Sequence, residues 1–330
     1  MEILWFGLLT AGVVSACILL ILVLRQGGLP DGVKLFFGTL KLKEDVYEPL
    51  LLLEELGYDC LRRIGEKQIE LIFDIDKNIP AKLYGDKGRI RQVMMNLLDN
   101  AIQFAEKGYV RLLIKIYPVV ENEMLEMYVS VKDTGRGISR KKMDRLFSFH
   151  GKIRKKGELG NGLYASQRLI EKMGGEIRAK SEEDKGSEFW FSIQQRISDT
   201  TLAAVIKLPE NGRTPRVSAK LSNPYREEAL MSLLNMYKVS YIPYDILQDV
   251  GMMVDYLFTD HGVYYEAEEE MLELVRCREN LCVLENPLRD HRKLEGVTIV
   301  YRPFFSLNFC RFLNHEQAAP KTNEVVNEKL

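Results

Sequence analysis

The sequence predicts an α+β sandwich over residues 37–196, a doubly wound α/β domain over residues 216–316, and one apolar helix ahead of both. Three observations carry this. Residues 69–75 alternate apolar and polar side chains, whereas Ile90, Val93, Met94, Leu97, Ala101 and Phe104 line one face of a helix. Beyond Leu208-Pro209-Glu210-Asn211-Gly212-Arg213-Thr214-Pro215 the pattern changes to strict β/α alternation. Residues 3–24 carry no charge.

That uncharged run, as a helix rising ~1.5 Å per residue, is just long enough for a ~30 Å hydrocarbon core. A cleaved leader fits worse, because Met1-Glu2 bring no Lys or Arg and the run is too long. Arg25, Lys34, Lys41 and Lys43 follow it. The positive-inside bias therefore predicts a single-pass anchor over residues 1–25, in the cell (inner) membrane, with the remainder cytoplasmic. Gly27-Gly28-Leu29-Pro30-Asp31-Gly32 reads as a flexible joint within a linker over 26–36. The 46 basic and 47 acidic residues nearly cancel, so there is no bulk electrostatic case for nucleic acid. Five cysteines without a CxxC argue against a metal knuckle or a disulfide framework.

In the first domain residues 41–63 read as a helix through Val46, Leu50, Leu53, Leu56 and Leu61. Residues 69–75 follow as a strand, and Asp86 caps a helix over 87–105. Strands over 110–117 and 125–131 flank a turn at Glu121-Asn122-Glu123. A helix over 162–173 stops at Gly174-Gly175, and strands over 177–179 and 188–193 close the sandwich. After a linker over 197–215, strands are expected at 217–221, 239–242, 256–258, 281–284 and 297–301. The intervening helices are 226–237, 246–252, 267–276 and 307–313, the alternation of a parallel doubly wound sheet. The tail over 317–330 is polar and reads as disordered.

Three motifs in the first domain converge on one chemistry. Asn96 and Asn100 lie one turn apart and share a helix face, and a carboxamide oxygen suits a hard cation such as Mg2+. Alone, such a pair is more often two exposed amides. Asp133-Thr134-Gly135-Arg136-Gly137 ends a strand in an acid and a glycine turn; the carboxylate can accept from an adenine amino group while the glycines let backbone approach a ring. Alone, it is an ordinary turn. Gly160-Asn161-Gly162-Leu163 opens a helix, and glycine-rich backbone at a helix N-terminus binds anions. The basic run Lys152, Arg154, Lys155 and Lys156 either reaches phosphates or forms a solvated loop. In this order they read as one ATP site.

Arg91-Gln92 before Asn96 and Asn100, then Asp133-Thr134-Gly135-Arg136-Gly137-Ile138, Leu146-Phe147-Ser148-Phe149, and the run from Gly160 to Ser192 resemble the catalytic domain of sensor histidine kinases. That family shares the Bergerat ATP-binding sandwich with gyrase, a heat-shock chaperone and a mismatch-repair protein. The resemblance covers residues 37–196 and implies ATP and Mg2+ as cofactors. It assigns Mg2+ to Asn100, phosphate support to Asn96, adenine to Asp133, and the floor of the base pocket to Gly135 and Gly137. Gly160, Gly162 and the adjoining Leu163 belong to the segment over the phosphates, with Phe147 and Phe149 at its hinge or in the core. Hydrolysing branches of the fold carry a glutamate where Asn96 stands. An amide takes no proton at neutral pH, so Asn96 favours transfer to a protein side chain.

Several positions depart from the family pattern. His150, His261, His291 and His315 all follow Asn100, and none has the acceptor pattern. Transfer in trans is therefore expected, to a histidine-bearing dimerisation or phosphotransfer protein, with a response regulator as a further partner. Gln103 replaces a phosphate-contacting lysine, and Glu158 and Asn161 replace a lid glycine and leucine. A carboxylate beside a triphosphate is repulsive, so a catalytically weak pseudokinase acting by protein contact is the alternative. The second domain resembles a degenerate receiver. Leu221-Ser222-Asn223 lacks the acid pair, Phe258-Thr259-Asp260 keeps one acceptor, and Tyr301-Arg302-Pro303 has arginine for lysine. A docking role is implied; an unrelated flavodoxin-like fold is the other reading.

Overall fold

Two hydrogen-bonded sheets organise the chain, and an edge of the first is buried beneath the second. The computed structural model describes residues 39–119, 123–143, 145–147, 162–207, 213–286, 294 and 296–316. Two units divide after Lys43; the described residues 39–43 of the first hold no helix or strand. The predicted anchor, its joint and the polar tail lie outside the described residues. Among those described, no helix is long and apolar enough to cross a membrane.

The second unit begins with β1 (Asp45–Tyr47) and α1 (Pro49–Ile64). The predicted helix over 41–63 thus starts late. Pro49 has no N–H to donate and its fixed φ suits the first helical position, so the chain ahead of it pairs as a strand instead. β2 (Gln68–Ile75) and β3 (Pro80–Gly85) follow, the latter not foreseen. α2 (Lys87–Phe104) starts where Asp86 accepts from Arg89 N at 3.0 Å. Its other end is closed from outside: Lys67 Nζ donates to Ile102 O (2.9 Å) and Ala105 O (2.8 Å), neutralising orphan carbonyls at the negative helix pole. Ile90, Val93, Leu97 and Leu98 of α2 are fully buried, each contributing about 2 kcal/mol.

β4 (Lys107–Val119) and β5 (Met124–Asp133) form a hairpin, α3 (Arg140–Met143) is a single turn, and α4 (Gly162–Lys172) ends before Gly174 at φ +81°. β6 (Ile177–Glu182) and β7 (Gly186–Leu202) complete a mixed sheet of order β1-β3-β7-β5-β4-β2, with β6 on β7. Strand β7 runs into the linker predicted over 197–215, because β3 gives its far end a partner: Leu83 faces Ile197 and Pro80 faces Leu202.

The second sheet holds β8 (Arg216–Lys220), β9 (Ser240–Tyr241), β10 (Tyr256–Asp260), β11 (Leu281–Glu285) and β12 (Thr298–Tyr301). All pair parallel, in order β12-β11-β10-β8-β9. The helices are α5 (Pro224–Met236), α6 (Tyr244–Val250), α7 (His261–Glu266), α8 (Glu268–Leu274) and α9 (Ser306–Leu313). The helix predicted over 267–276 is α8, and the unforeseen α7 precedes it, the two separated at Ala267 (φ −141°). Glu268, Glu269 and Glu270 start α8 where acids favour a helix N-terminus.

β2 ends the first sheet, yet Ile69 to Phe73 are all buried. An open edge invites mispairing, and here the second sheet's helices cover it. Ser306 Oγ donates to Ile75 O (3.1 Å), Lys77 Nζ to Met236 O (3.1 Å), and the Phe73 and Phe305 rings lie 5.8 Å apart. At Gly57 of α1 an added Cβ would stand 2.7 Å from the Pro303 ring. Gly57→Ala should therefore overpack this seam and lower stability by about 1–3 kcal/mol in urea denaturation. Gly262→Ala, which meets nothing within 4 Å, should change it by less than about 0.5 kcal/mol. Equal effects of the two would contradict close packing at Gly57.

Candidate functional site

The described parts of the three motifs meet along α2. At its middle, Asn96 Nδ2 donates to Ser166 Oγ (3.0 Å) and lies 3.4 Å from Gly162 O, both at the start of α4. A Cβ at Gly162 would sit 3.7 Å from Asn96 Cγ. Ser166, fully buried, thus fixes which way Asn96 faces. Sequence reading passed it over, although it lies one turn beyond Gly162 on the same face. Both contacts use the amide nitrogen, so the carbonyl oxygen is the atom with acceptor capacity left. Asn100, one turn on, is half-buried, and its side chain makes no hydrogen bond to the described residues. Asp99 between them belongs to another face and pairs with Arg63 of α1 at 2.5 Å.

At the C-terminal end of α2 the turn after β5 closes in. Arg136 N donates to Phe104 O (3.3 Å), and the Arg136 guanidinium lies 4.6 Å from the Phe104 ring centre. A Cβ at Gly135 would stand 2.5 Å from Phe104 O, and one at Gly137, where φ is +66°, 2.0 Å from Glu182 O. Only glycine permits both approaches. Thr134 Oγ1 donates to Lys107 O (3.0 Å) and accepts from Tyr109 N (3.0 Å), pinning the turn to β4. Ser181 Oγ accepts from Ile138 N (2.8 Å), pinning it to β6.

Asp133 is 4 % exposed, and its Oδ1 accepts from Gly135 N at 2.8 Å. Burial pushes its carboxyl up to about 6, while the backbone N–H groups of Gly135 and Ser187 hold it down. A buried acid with spare acceptor capacity is chemically matched to a ligand amino group. Leu163 is buried to 1 %, so its side chain belongs to the core and its backbone is what a ligand would meet. Gln103 is exposed. Gly160, Glu158, Asn161, Phe149 and the basic run from Lys152 to Lys156 lie outside the described residues.

Residues 85–197 match the family described as histidine kinase-, DNA gyrase B-, and HSP90-like ATPase. The hybrid signal transduction protein dokA of Dictyostelium discoideum is 34% identical over 179 residues, 51% of this chain and 11% of its own length. The signal transduction histidine-protein kinase BarA of Escherichia coli K12 is 32% identical over 168 residues, 49% of this chain and 18% of its own. The chain thus spans under a fifth of either relative. The crystal structure of full-length ShkA, in complex with AMPPNP, superposes with TM-score 0.60 over 85% of this chain and 58% of that one. At 20% identity that likeness is one of fold.

The pH dependence of Asp133 is measurable in the ligand-free protein. An unfolded aspartate titrates near ~3.9. Between that value and about 6 the folded protein keeps a proton that the unfolded chain releases, so stability falls as pH rises and levels off above about 6. Asp133→Asn should remove this fall and be up to about 3 kcal/mol more stable at pH 7.5. A stability–pH curve unchanged in the variant would contradict the burial argument. Together, the fold, the converging motifs and the matched relatives place in residues 85–197 an ATPase-type sandwich of the kind carried by histidine kinases of two-component signalling.

Proposed function

We propose that the first lobe, the part of the second unit built on the first sheet (the second lobe being the part built on the second sheet), binds ATP with Mg2+ and passes its terminal phosphoryl group to a histidine of a partner protein. The observation that supports this most is the convergence on α2 of Asn96, Asn100, Gly162 and the Asp133 turn. Asp133 would accept from the adenine amino group, with Gly135 and Gly137 admitting the ring edge. Asn100, whose carboxamide makes no hydrogen bond to the described residues, would give Mg2+ one oxygen, the remaining positions falling to phosphates and water. Among the described residues no cluster of three or more His, Cys, Asp or Glu side chains offers a competing cation site. The ion would neutralise phosphate charge, and the protein's part is positioning. Asn96, tied to α4 by its NH2, would couple the phosphate end of the site to that helix. Lacking a base at this position, the site favours transfer over hydrolysis.

The partner is a histidine-bearing dimerisation or phosphotransfer domain, working with a response regulator. The second lobe is read as a degenerate receiver, supported by its parallel order and by Asp260 at the end of β10. The Asp260 Oδ2 atom is already held by Ser222 N, Ser222 Oγ and Arg226 Nη1 at 2.8–3.0 Å, which favours docking over phosphorylation. Residues 1–25 would anchor the protein in the membrane. The second reading, a pseudokinase acting by contact, draws on Gln103 and that occupied carboxylate.

Titration of the full chain with ATP tests the proposal. Saturable binding should strengthen with Mg2+ and rise as pH passes about 6, where Asp133 ionises. Asp133→Ala should weaken it at least about tenfold, the worth of one charge-assisted hydrogen bond. Asn100→Ala should keep Mg2+-independent binding and lose the Mg2+ increment. Absence of saturable binding sinks the proposal; binding without label transfer to an added histidine-bearing domain favours the pseudokinase.

A further inference from the structure

β12 is the outermost strand of the second sheet, and among the described residues only β11 pairs with it. Arg302 N, just past β12, donates to Glu285 O of β11 at 2.9 Å. Successive residues of a parallel ladder turn their N–H and C=O to opposite sides, so Thr298 and Val300 share that direction while Ile299 and Tyr301 face away from β11. The carbonyl of Tyr301 agrees, accepting from Asn308 Nδ2 of α9 at 3.1 Å. An edge with no Lys or Pro inside it and an unbroken register is a template for a further strand.

There is room for one. All of β12 lines a cleft of about 550 Å3, with Tyr58 of α1 and Phe312 of α9 as further walls. Glu279, whose carbonyl accepts from Thr298 Oγ1 at 2.7 Å, marks the end of the cleft at the start of β12. α9 follows the other end of β12, yet His315 and Glu316, just past that helix, line the same cleft. At Glu316 the chain is thus beside the open edge, with residues 317–330 still to follow.

That segment is polar, but it holds one β-branched pair, Val325-Val326, within Thr322-Asn323-Glu324-Val325-Val326-Asn327. Residues 317–321 join this run to Glu316. A strand here would complete a β–α–β crossover through α9 and repeat the parallel pairing of the sheet's four strand pairs. Lys321, just ahead of the run, would then lie beside Glu279, whose carboxylate makes no ion pair to the described residues.

We infer that residues 322–327 add to the outer edge of β12 as a sixth parallel strand of the second sheet, filling the cleft between α1 and α9. Main-chain hydrogen bonds to Ile299 hold the segment, and the walls at Tyr58 and Phe312 receive a valine side chain. Nucleotide binding by the first lobe is not required.

Hydrogen exchange at the Ile299 amide of the full chain tests this. Val325→Pro combined with Val326→Pro removes both N–H groups and should speed that exchange at least about tenfold, because the edge opens locally while the rest of the sheet stays closed. Lys329→Pro, beyond the strand, should leave it as in the unsubstituted chain. Equal exchange in the unsubstituted and double-proline chains overturns the inference, as does an equally large effect of Lys329→Pro. Sedimentation of the same samples fixes which copy supplies the strand. The prolines should leave the oligomeric state unchanged; a dimer that they dissociate assigns the segment to a neighbouring copy and overturns the assignment to its own chain.

Discussion

Gly135 passes so close to the carbonyl oxygen of Phe104 that a Cβ would stand 2.5 Å from it, and on that approach the site depends. It brings the end of β5, and with it the buried carboxyl of Asp133, onto the last turn of the helix that carries Asn96 and Asn100. Without it the acid and the amides would belong to unrelated surfaces. The Arg136 N–H to Phe104 O bond and the Thr134 bonds to β4 then hold the turn in place. At the other end the Asn96–Ser166 bond ties α4 to the same helix. One helix is thereby gripped at two points, and under the proposed function the nucleotide would lie between them.

Much of this was legible in the sequence because its causes are local. Asp86 announced the start of α2, the apolar spacing through Ile90, Val93 and Leu97 its buried face, and Gly174-Gly175 the end of α4. The glycines at 135 and 137 stood out because a turn forced against other backbone tolerates nothing else. What escaped depends on partners far away in sequence. β1 and β3 are short strands that exist by pairing with each other and with β7, and β7 extends past its predicted end for the same reason. Ser166 and Ser181 are single hydroxyls whose roles arise only when distant elements meet. Proline at position 49 did carry a local signal, which the apolar spacing on either side concealed.

Glu70 shows the limit most clearly. Within β2 it alternates with isoleucine and leucine, and by period alone it belongs on a solvent face. The second sheet reverses that expectation by covering the edge of the first, so that both faces of β2 are buried and the charge is met by Arg226, Arg302 and Asn223. Removing one partner of such a set leaves a buried charge uncompensated, typically at a cost of ~3–5 kcal/mol, which makes the seam between the lobes specific as well as tight.

Crystals grown with a non-hydrolysable ATP analogue and Mn2+, with the ion located by anomalous scattering, test the central claim most directly. The account predicts a manganese peak in coordinating distance of Asn100 Oδ1 and the purine amino group within hydrogen-bonding distance of Asp133. A peak remote from α2, or a purine lodged outside the turn from Asp133 to Gly137, would contradict it.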